Sequence, residues 1–383
     1  MKAKMLIPAV SVAGLAVVVA AAVSPPPTTP RVSPDPVVID PVGERRPVDL
    51  VVCLDTSGSM TQLIDSARAK LWDVVNELAT AKPTPLLRVG LLTYGSPNNS
   101  TAQQGWIVRQ TDLTTDLDTV YAKMMAMTTN GGDEYVGWVL NEAVQTMSWS
   151  DDSNALRLIF VAGNESADQA ANRYNFRQVA EQARAKGLII NAFYAGNHDR
   201  GVAEHWDQVA EYGHGHFAAI DMHEGTIQLA TPQDEILRRL NQELNATYIP
   251  YGARGRAGAA NQAAQDRNAA ALGVQSGASR AAAKATALYE NAAWDLVDAS
   301  RDEDFDAAEL KKEEMPEDMR SMTPQERLAY IEGMRRARAA VQKKIQEVNA
   351  ARQKYLEAER QKRGGKASLD DAMRQAIREQ AAR

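Results

Sequence analysis

Four short runs, 48–54, 86–94, 156–162 and 188–195, are dominated by apolar residues, with few polar interruptions such as Asp49 and Arg88. Runs of this length and density are what strands look like when both faces of a parallel sheet are covered. The segments between them have the opposite texture. In 59–80, apolar residues recur at Leu63, Ala67, Leu71, Val74, Val75 and Leu78, a helical period. Further helices are expected near 115–128, 135–147, 172–186, 201–212 and 225–246, and further strands at 106–109 and 216–220. Strand and helix alternating over 48–250 predict an α/β fold, a doubly wound, mostly parallel sheet with helices on both faces. Such sheets bind ligands at the carboxyl ends of their strands, where the strand order reverses.

One motif lies where that rule points. Asp55 ends the first apolar run, and Asp55-Thr56-Ser57-Gly58-Ser59 leads into the first helix. Alternate residues of an extended loop point the same way, so one carboxylate and two hydroxyls could converge on a hard cation, which takes oxygen ligands. Mg2+ suits such a set because it keeps several waters and needs only one or two carboxylates; Mn2+ or Ca2+ are the alternatives. The competing reading is that Ser57 or Ser59 only caps the helix.

The sequence here resembles the von Willebrand factor type A family, in which Asp-x-Ser-x-Ser begins the metal-ion-dependent adhesion site (MIDAS). The resemblance spans about 200 residues and includes Leu87-Arg88-Val89-Gly90, Met147-Ser148-Trp149-Ser150 and Leu156-Arg157-Leu158-Ile159-Phe160. It implies two further ligand loops. In Thr129-Asn130-Gly131-Gly132-Asp133-Glu134, Asp133 takes the place of the usual threonine; in Phe160-Val161-Ala162-Gly163-Asn164-Glu165, Asn164 takes that of the usual aspartate. The implied metal ligands are therefore Asp55, Ser57, Ser59, Asp133 and Asn164. Glu134 and Glu165, beside them, read as solvated loop acids. The resemblance further implies an open coordination position that accepts a carboxylate from a protein partner.

Several function classes are excluded or disfavoured. Residues 252–383 hold 24 basic and 21 acidic side chains, and residues 1–251 hold 19 and 28, so neither part offers a nucleic-acid surface. The single cysteine, Cys53, permits no internal disulfide and sits in an apolar run as a small core residue. No Gly-x-Ser-x-Gly elbow or phosphate-binding Gly-x-x-x-x-Gly-Lys-Ser/Thr loop occurs, so the chain is read as a non-enzyme, metal-assisted hydrolysis being the remote alternative. All five histidines fall between 198 and 223, but their spacing is poor for a zinc site.

The ends of the chain differ from the middle. Residues 1–23 start with Lys2 and Lys4, continue through an uncharged apolar stretch and finish in Ala20-Ala21-Ala22, the pattern of a signal peptide or an uncleaved N-terminal membrane anchor. Residues 24–47 carry eight of the 16 prolines and read as a stiff linker. The rest of the chain is thus expected outside the cytoplasm, in the periplasm or cell envelope or in the extracellular space.

Beyond the α/β unit, 251–321 is alanine-rich and then acidic. Helices are expected near 258–272 and 278–291, packing weakly for want of large apolar residues, with 301–317 mobile. Residues 322–383 form an α-helical arm. Thr323-Pro324-Gln325-Glu326 is a capping box. After it, Ile331, Met334, Arg338, Val341, Ile345, Val348, Arg352 and Tyr355 make a heptad seam. That seam supports either self-association through 325–360 as a coiled coil or a long helix folded back on its neighbours. The functional expectation is an exported, metal-dependent protein-binding module of the adhesion or scaffold kind. Its alternative is an envelope scaffold with a vestigial metal site whose helical tail does the binding.

Overall fold

The computed structural model describes residues 45–220, 229–363 and 369–381, apart from Lys82 and Asn99. The signal or anchor segment and nearly all of the proline-rich linker lie outside these residues. Among the described residues, no helix is long and apolar enough to cross a membrane.

Six strands form one sheet: β1 (Pro47–Asp55), β2 (Leu86–Tyr94), β3 (Val108–Thr114), β4 (Leu156–Gly163), β5 (Leu188–Ala195) and β6 (His214–Ile220), in the order β3-β2-β1-β4-β5-β6. All neighbours are parallel except β2 and β3. The chain runs from β1 to one side and then returns to place β4 on the other. The switch point therefore lies between the carboxyl ends of β1 and β4, where Asp55 and Asn164 emerge.

The apolar runs lack alternation because both sheet faces are buried. From β1, Leu50, Val52 and Leu54 enter one core with α1 (Thr61–Leu78) and α2 (Leu117–Met125). Val51 and Cys53 enter the other, with α3 (Val136–Thr146), α4 (Phe176–Ala185) and α6 (Trp206–Tyr212). Cys53 is fully buried, a core residue as expected.

Local departures from the sequence reading have local causes. The third strand is 108–114, not 106–109, because Gly105 and Trp106 both adopt left-handed backbone and turn the chain before pairing starts. Helix 172–186 begins only at Phe176, capped by the Asn175 side chain. Helix 201–212 is two helices, α5 (His198–Ala203) and α6, broken where His205 has φ 68°.

The larger departure is in the helical part. Helices α7 (Asp234–Asn245), α8 (Gly252–Ala271), α9 (Val274–Lys284), α10 (Leu296–Ala299), α11 (Pro324–Arg363) and α12 (Leu369–Ala381) follow the sheet. Helix α7 does not close the sheet. Its Leu237, Leu240 and Leu244 pack with Ala278 and Ala281 of α9 and with Val341 and Ile345 of α11. The sheet flank is closed by α12, whose Ala372, Met373, Ala376 and Ile377 join the α1 core. There the Gln380 amide exchanges hydrogen bonds with the Asn191 amide of β5, at 2.7 and 3.1 Å, both side chains fully buried.

The alanine-rich helix does not pack weakly. Small side chains let α9 lie close on α1: Ser276 Oγ donates to Ala69 O at 3.1 Å, Ser279 Oγ to Asp73 at 2.6 Å, and Asn76 to Ser279 O at 2.9 Å. The acidic stretch is likewise anchored, with Met315 and Met319 buried against Leu296, Val297 and Ile331. The capping box forms reciprocally between Thr323 and Glu326.

The heptad seam of α11 is spent inside the chain except at Tyr355, which is exposed. Ile331, Arg338, Val341, Ile345 and Arg352 are buried against α7, α9, α10 and the segments around them. The face offered for self-association through 325–360 is thus occupied, and the folded-back alternative is the one adopted. Both seam arginines are paired: Arg338 with Asp295 at 2.7 Å and Asp298 at 2.9 Å, Arg352 with Asp234 at 2.8 Å.

Candidate metal centre

The centre is built by three loops at the carboxyl end of the sheet. The first begins at Asp55, fully buried, whose Oδ1 accepts from the Ser57 amide at 2.7 Å. Ser57 Oγ and Ser59 Oγ are 3.1 Å apart, and Ser59 Oγ donates to Asn164 Oδ1 at 3.2 Å. Asp55, Ser57, Ser59 and Asn164 are therefore gathered as a set of oxygens. Backbone bonds clamp the loops together: Thr56 N donates to Tyr94 O at 2.8 Å, and Asn130 N to Thr56 O at 3.0 Å. The Tyr94 phenol, from β2, donates to Ala162 O of β4 across the switch point at 3.0 Å.

The 129–135 loop contributes differently from the sequence reading. Asp133 is exposed, and its Oδ2 accepts from the Tyr135 phenol at 2.9 Å. Glu134, read from sequence as a solvated acid, is 5% exposed and faces Asp55. Its amide donates to the Gln169 side chain at 2.9 Å, which fixes the loop's orientation. The sequence signal that could have found it is the glycine pair beside it. A Cβ on Gly132 would come within 2.5 Å of Gly95 O, and one on Gly95 within 2.5 Å of Asp55 Oδ1. Gly95 also has φ 75°, which a side chain rarely adopts. Only bare backbone on both loops brings Glu134 down beside Asp55.

The electrostatics are unusual for two acids. Burial raises the Asp55 carboxyl well above the usual range, and the neighbouring Glu134 carboxyl pushes the same way. Burial also raises Glu134. Asp55 Oδ2 and Glu134 Oε2 are buried without a hydrogen-bond partner, and among the described residues neither acid has an ion pair. Two acids at this depth call for a shared proton or a bound cation. The donor set of carboxylate, hydroxyl and amide oxygens fits a hard divalent ion. Among the described residues, no three His, Cys, Asp or Glu side chains converge as metal ligands, so a cation here would rely on the serine and asparagine oxygens as well.

The histidines do not assemble among the described residues. His205 pairs with Asp168, His214 lies by Arg184, His216 pairs with Glu379, and His198 packs on Phe217. His223 lies outside the described residues.

Residues 49–219 match the von Willebrand factor type A domain profile. No curated protein matches the chain. Among solved structures, proximal thread matrix protein 1 from the mussel byssus, solved with a zinc-occupied MIDAS motif, is 10% identical with a TM-score of 0.35, covering 47% of this chain and 43% of that chain. The SpRpn10 VWA domain is 15% identical with a TM-score of 0.36, covering 47% and 90%. An aerotolerance-related membrane protein from Bacteroides fragilis is 15% identical with a TM-score of 0.31, covering 45% and 92%. This chain thus spans less than half of the mussel protein's length. With its six-stranded sheet and the profile match in agreement, the region 49–219 is a von Willebrand factor type A domain.

Proposed function

We propose that this chain is an exported, metal-dependent protein-binding module, non-enzymatic, that takes an acidic residue of its partner. One observation carries the metal part: the buried, unpartnered oxygens of Asp55 and Glu134 beside the Ser57 and Ser59 hydroxyls. In this reading Asp55, Ser57 and Ser59 hold the cation with Glu134 and Asn164, and Asp133 stands outside. A bound Mg2+ or Mn2+ would supply an oxygen-seeking positive centre at the mouth of the sheet. The chain's own residues then hold the acids fixed: Gly95 and Gly132 by leaving room, Gln169 by anchoring the Glu134 amide, Asn130 by tying its loop to Thr56. The export part rests on residues 1–23 of the sequence.

The helical tail as sole binding element is the weaker reading, because its seam is committed within the chain. The test is calorimetric titration of Mg2+, Mn2+ and Zn2+ into the wild type and into Asp55→Ala, Glu134→Gln and Asp133→Asn, followed by capture of partners from envelope extracts with and without EDTA. Binding should be lost in the first two variants and kept in Asp133→Asn, and capture should need the cation. Equal cation binding by Asp55→Ala, or capture indifferent to EDTA, would sink the proposal.

A further inference from the structure

Next to the centre lies an aromatic shelf that the metal reading does not use. The Tyr135 ring sits 5.3 Å from that of Trp138, and Tyr174 meets Trp138 edge-on at 5.4 Å. The exposed guanidinium of Arg173 lies over Trp138 at 4.4 Å and near Tyr174 at 5.4 Å. Among the described residues, no carboxylate comes within ion-pair distance of Arg173; the one hydrogen bond of its guanidinium is a 3.4 Å contact from Nη1 to Gln103 O. The neighbouring acids are otherwise engaged, Asp133 by the Tyr135 phenol and Asp168 by Arg177 and His205.

The shelf is fastened to the metal loops. Tyr135 follows Glu134 directly, Trp138 Nε1 donates to Ala170 O at 3.2 Å, and Arg173 rides on the same β4–α4 loop as Asn164 and Gln169. Two non-glycine residues with left-handed backbone flank it, Trp106 (φ 58°) and Ala170 (φ 51°). Strain of this kind persists only where surrounding contacts enforce it, and here both strained loops converge on the Trp138 ring.

We propose that Arg173, held over Trp138 and beside Tyr174, is a second carboxylate-binding point beside the cation, so that the partner is an acidic segment with two carboxylates rather than one. A planar guanidinium accepts a carboxylate on two parallel N–H donors, and stacking removes much of the freedom that makes surface arginines weak partners. Tryptophan, tyrosine and arginine are also the side chains that anchor interfaces. The unpaired guanidinium and the cation site ask for the same sign of charge in the partner. This inference rests on the proposed metal-dependent binding.

The experiment uses the folded, full-length protein loaded with Mn2+ and two kinds of labelled, end-capped glycine-serine peptide. One kind carries a single glutamate; the other carries a second glutamate at increasing separations. Anisotropy reads peptide binding and calorimetry reads Mn2+. At its best spacing the two-glutamate peptide should bind about fivefold tighter than the single one. Arg173→Ala should abolish that gain, Arg173→Lys restore only part of it, and neither change Mn2+ affinity or single-glutamate binding. The inference is overturned if no spacing shows a gain, or if the gain survives Arg173→Ala. Failure of the metal reading looks different: single-glutamate binding would then be unchanged in Asp55→Ala. In that case the Arg173 gain is measured on the metal-free protein and stands or falls by the same comparison.

Discussion

In the helical half, Asp295 and Asp298 lie buried with the Arg338 guanidinium between them, and Asp266 with Arg280 and Lys284. In the sheet half, Asp55 and Glu134 lie as deep with only each other and the serines. Burying a charge costs the same solvation in both places. The helical half meets it with cations carried by its own sequence, and stacks them on aromatic rings: Arg338 over Tyr248 at 3.9 Å and Arg280 over Trp72 at 4.7 Å. The sheet half does so for Asp49, paired with Arg88 at 2.7 Å, but supplies no cation to Asp55 and Glu134. The contrast separates charges that specify how two parts of the chain dock from charges left for something that arrives later.

The contrast breaks first at Arg338. Arg338→Ala strands two acids and the Thr247 carbonyl, which now accepts from Nη2 at 2.8 Å. It should cost about 3–5 kcal/mol in urea unfolding, whereas a loss below about 1 kcal/mol would mean that the helical acids, like the sheet acids, tolerate lacking a cation. Next comes the centre. Saturating Mn2+ at about a hundred times its Kd should stabilise the wild type by about 2.7 kcal/mol. Glu134→Gln should unfold at higher urea than the wild type without metal, since one of two opposed acids is gone, and should gain nothing from Mn2+. A variant that still gains in full would assign the ligand role elsewhere.

A neutral control follows. Gln380→Ala leaves the buried Asn191 amide with fewer partners and should cost about 1–2 kcal/mol, read by urea unfolding, with no change in Mn2+ affinity. A loss of Mn2+ affinity would couple the two ends of the sheet. The last effect is one of pH dependence: Asp266→Asn lowers stability at neutral pH, where it leaves Arg280 and Lys284 buried without that carboxylate, and the difference shrinks in acid. Lys284 and Arg280 hold the Asp266 carboxyl below its usual range, outweighing the burial that pushes it up. A carboxyl depressed in the fold stabilises it above the unfolded value of about 3.9, and that stability is lost as pH falls through this value towards the folded one. Asp266→Asn should therefore flatten the acid limb of the stability profile below about pH 4; an unchanged limb would show that other acids dominate it.

Much of the sheet was legible because a run such as 188–195 is strand-like whatever surrounds it; its observed bounds are those read from sequence. The edge strand was not, because its start is set by the left-handed Gly105–Trp106 turn and its pairing by bulges against β2. At the centre, the spacing of Asp55, Ser57 and Ser59 was legible because it lies within one loop. Which of two adjacent acids turns inward was not. Asp133 and Glu134 are sorted by a phenol two residues from Asp133, by Gly132 next to it and by Gly95 on a loop nearly 40 residues earlier. The seam arginines were legible as positions, but their partners were not: Asp234 opens α7, 118 residues before Arg352, and Asp295 and Asp298 come from a segment without helical period or motif.

The closure of the sheet by α12 bears on how the chain is made. The flank that β5 and β6 present to α12 stays uncovered until residues 369–381 have left the ribosome, long after β6 itself, so this α/β unit cannot finish folding as its strands emerge. Until then the buried Asn191 amide and the apolar side chains around it face whatever is nearby. A nascent chain of this kind depends on being kept apart from its neighbours, and a chain cut short before α12 keeps an open sheet flank.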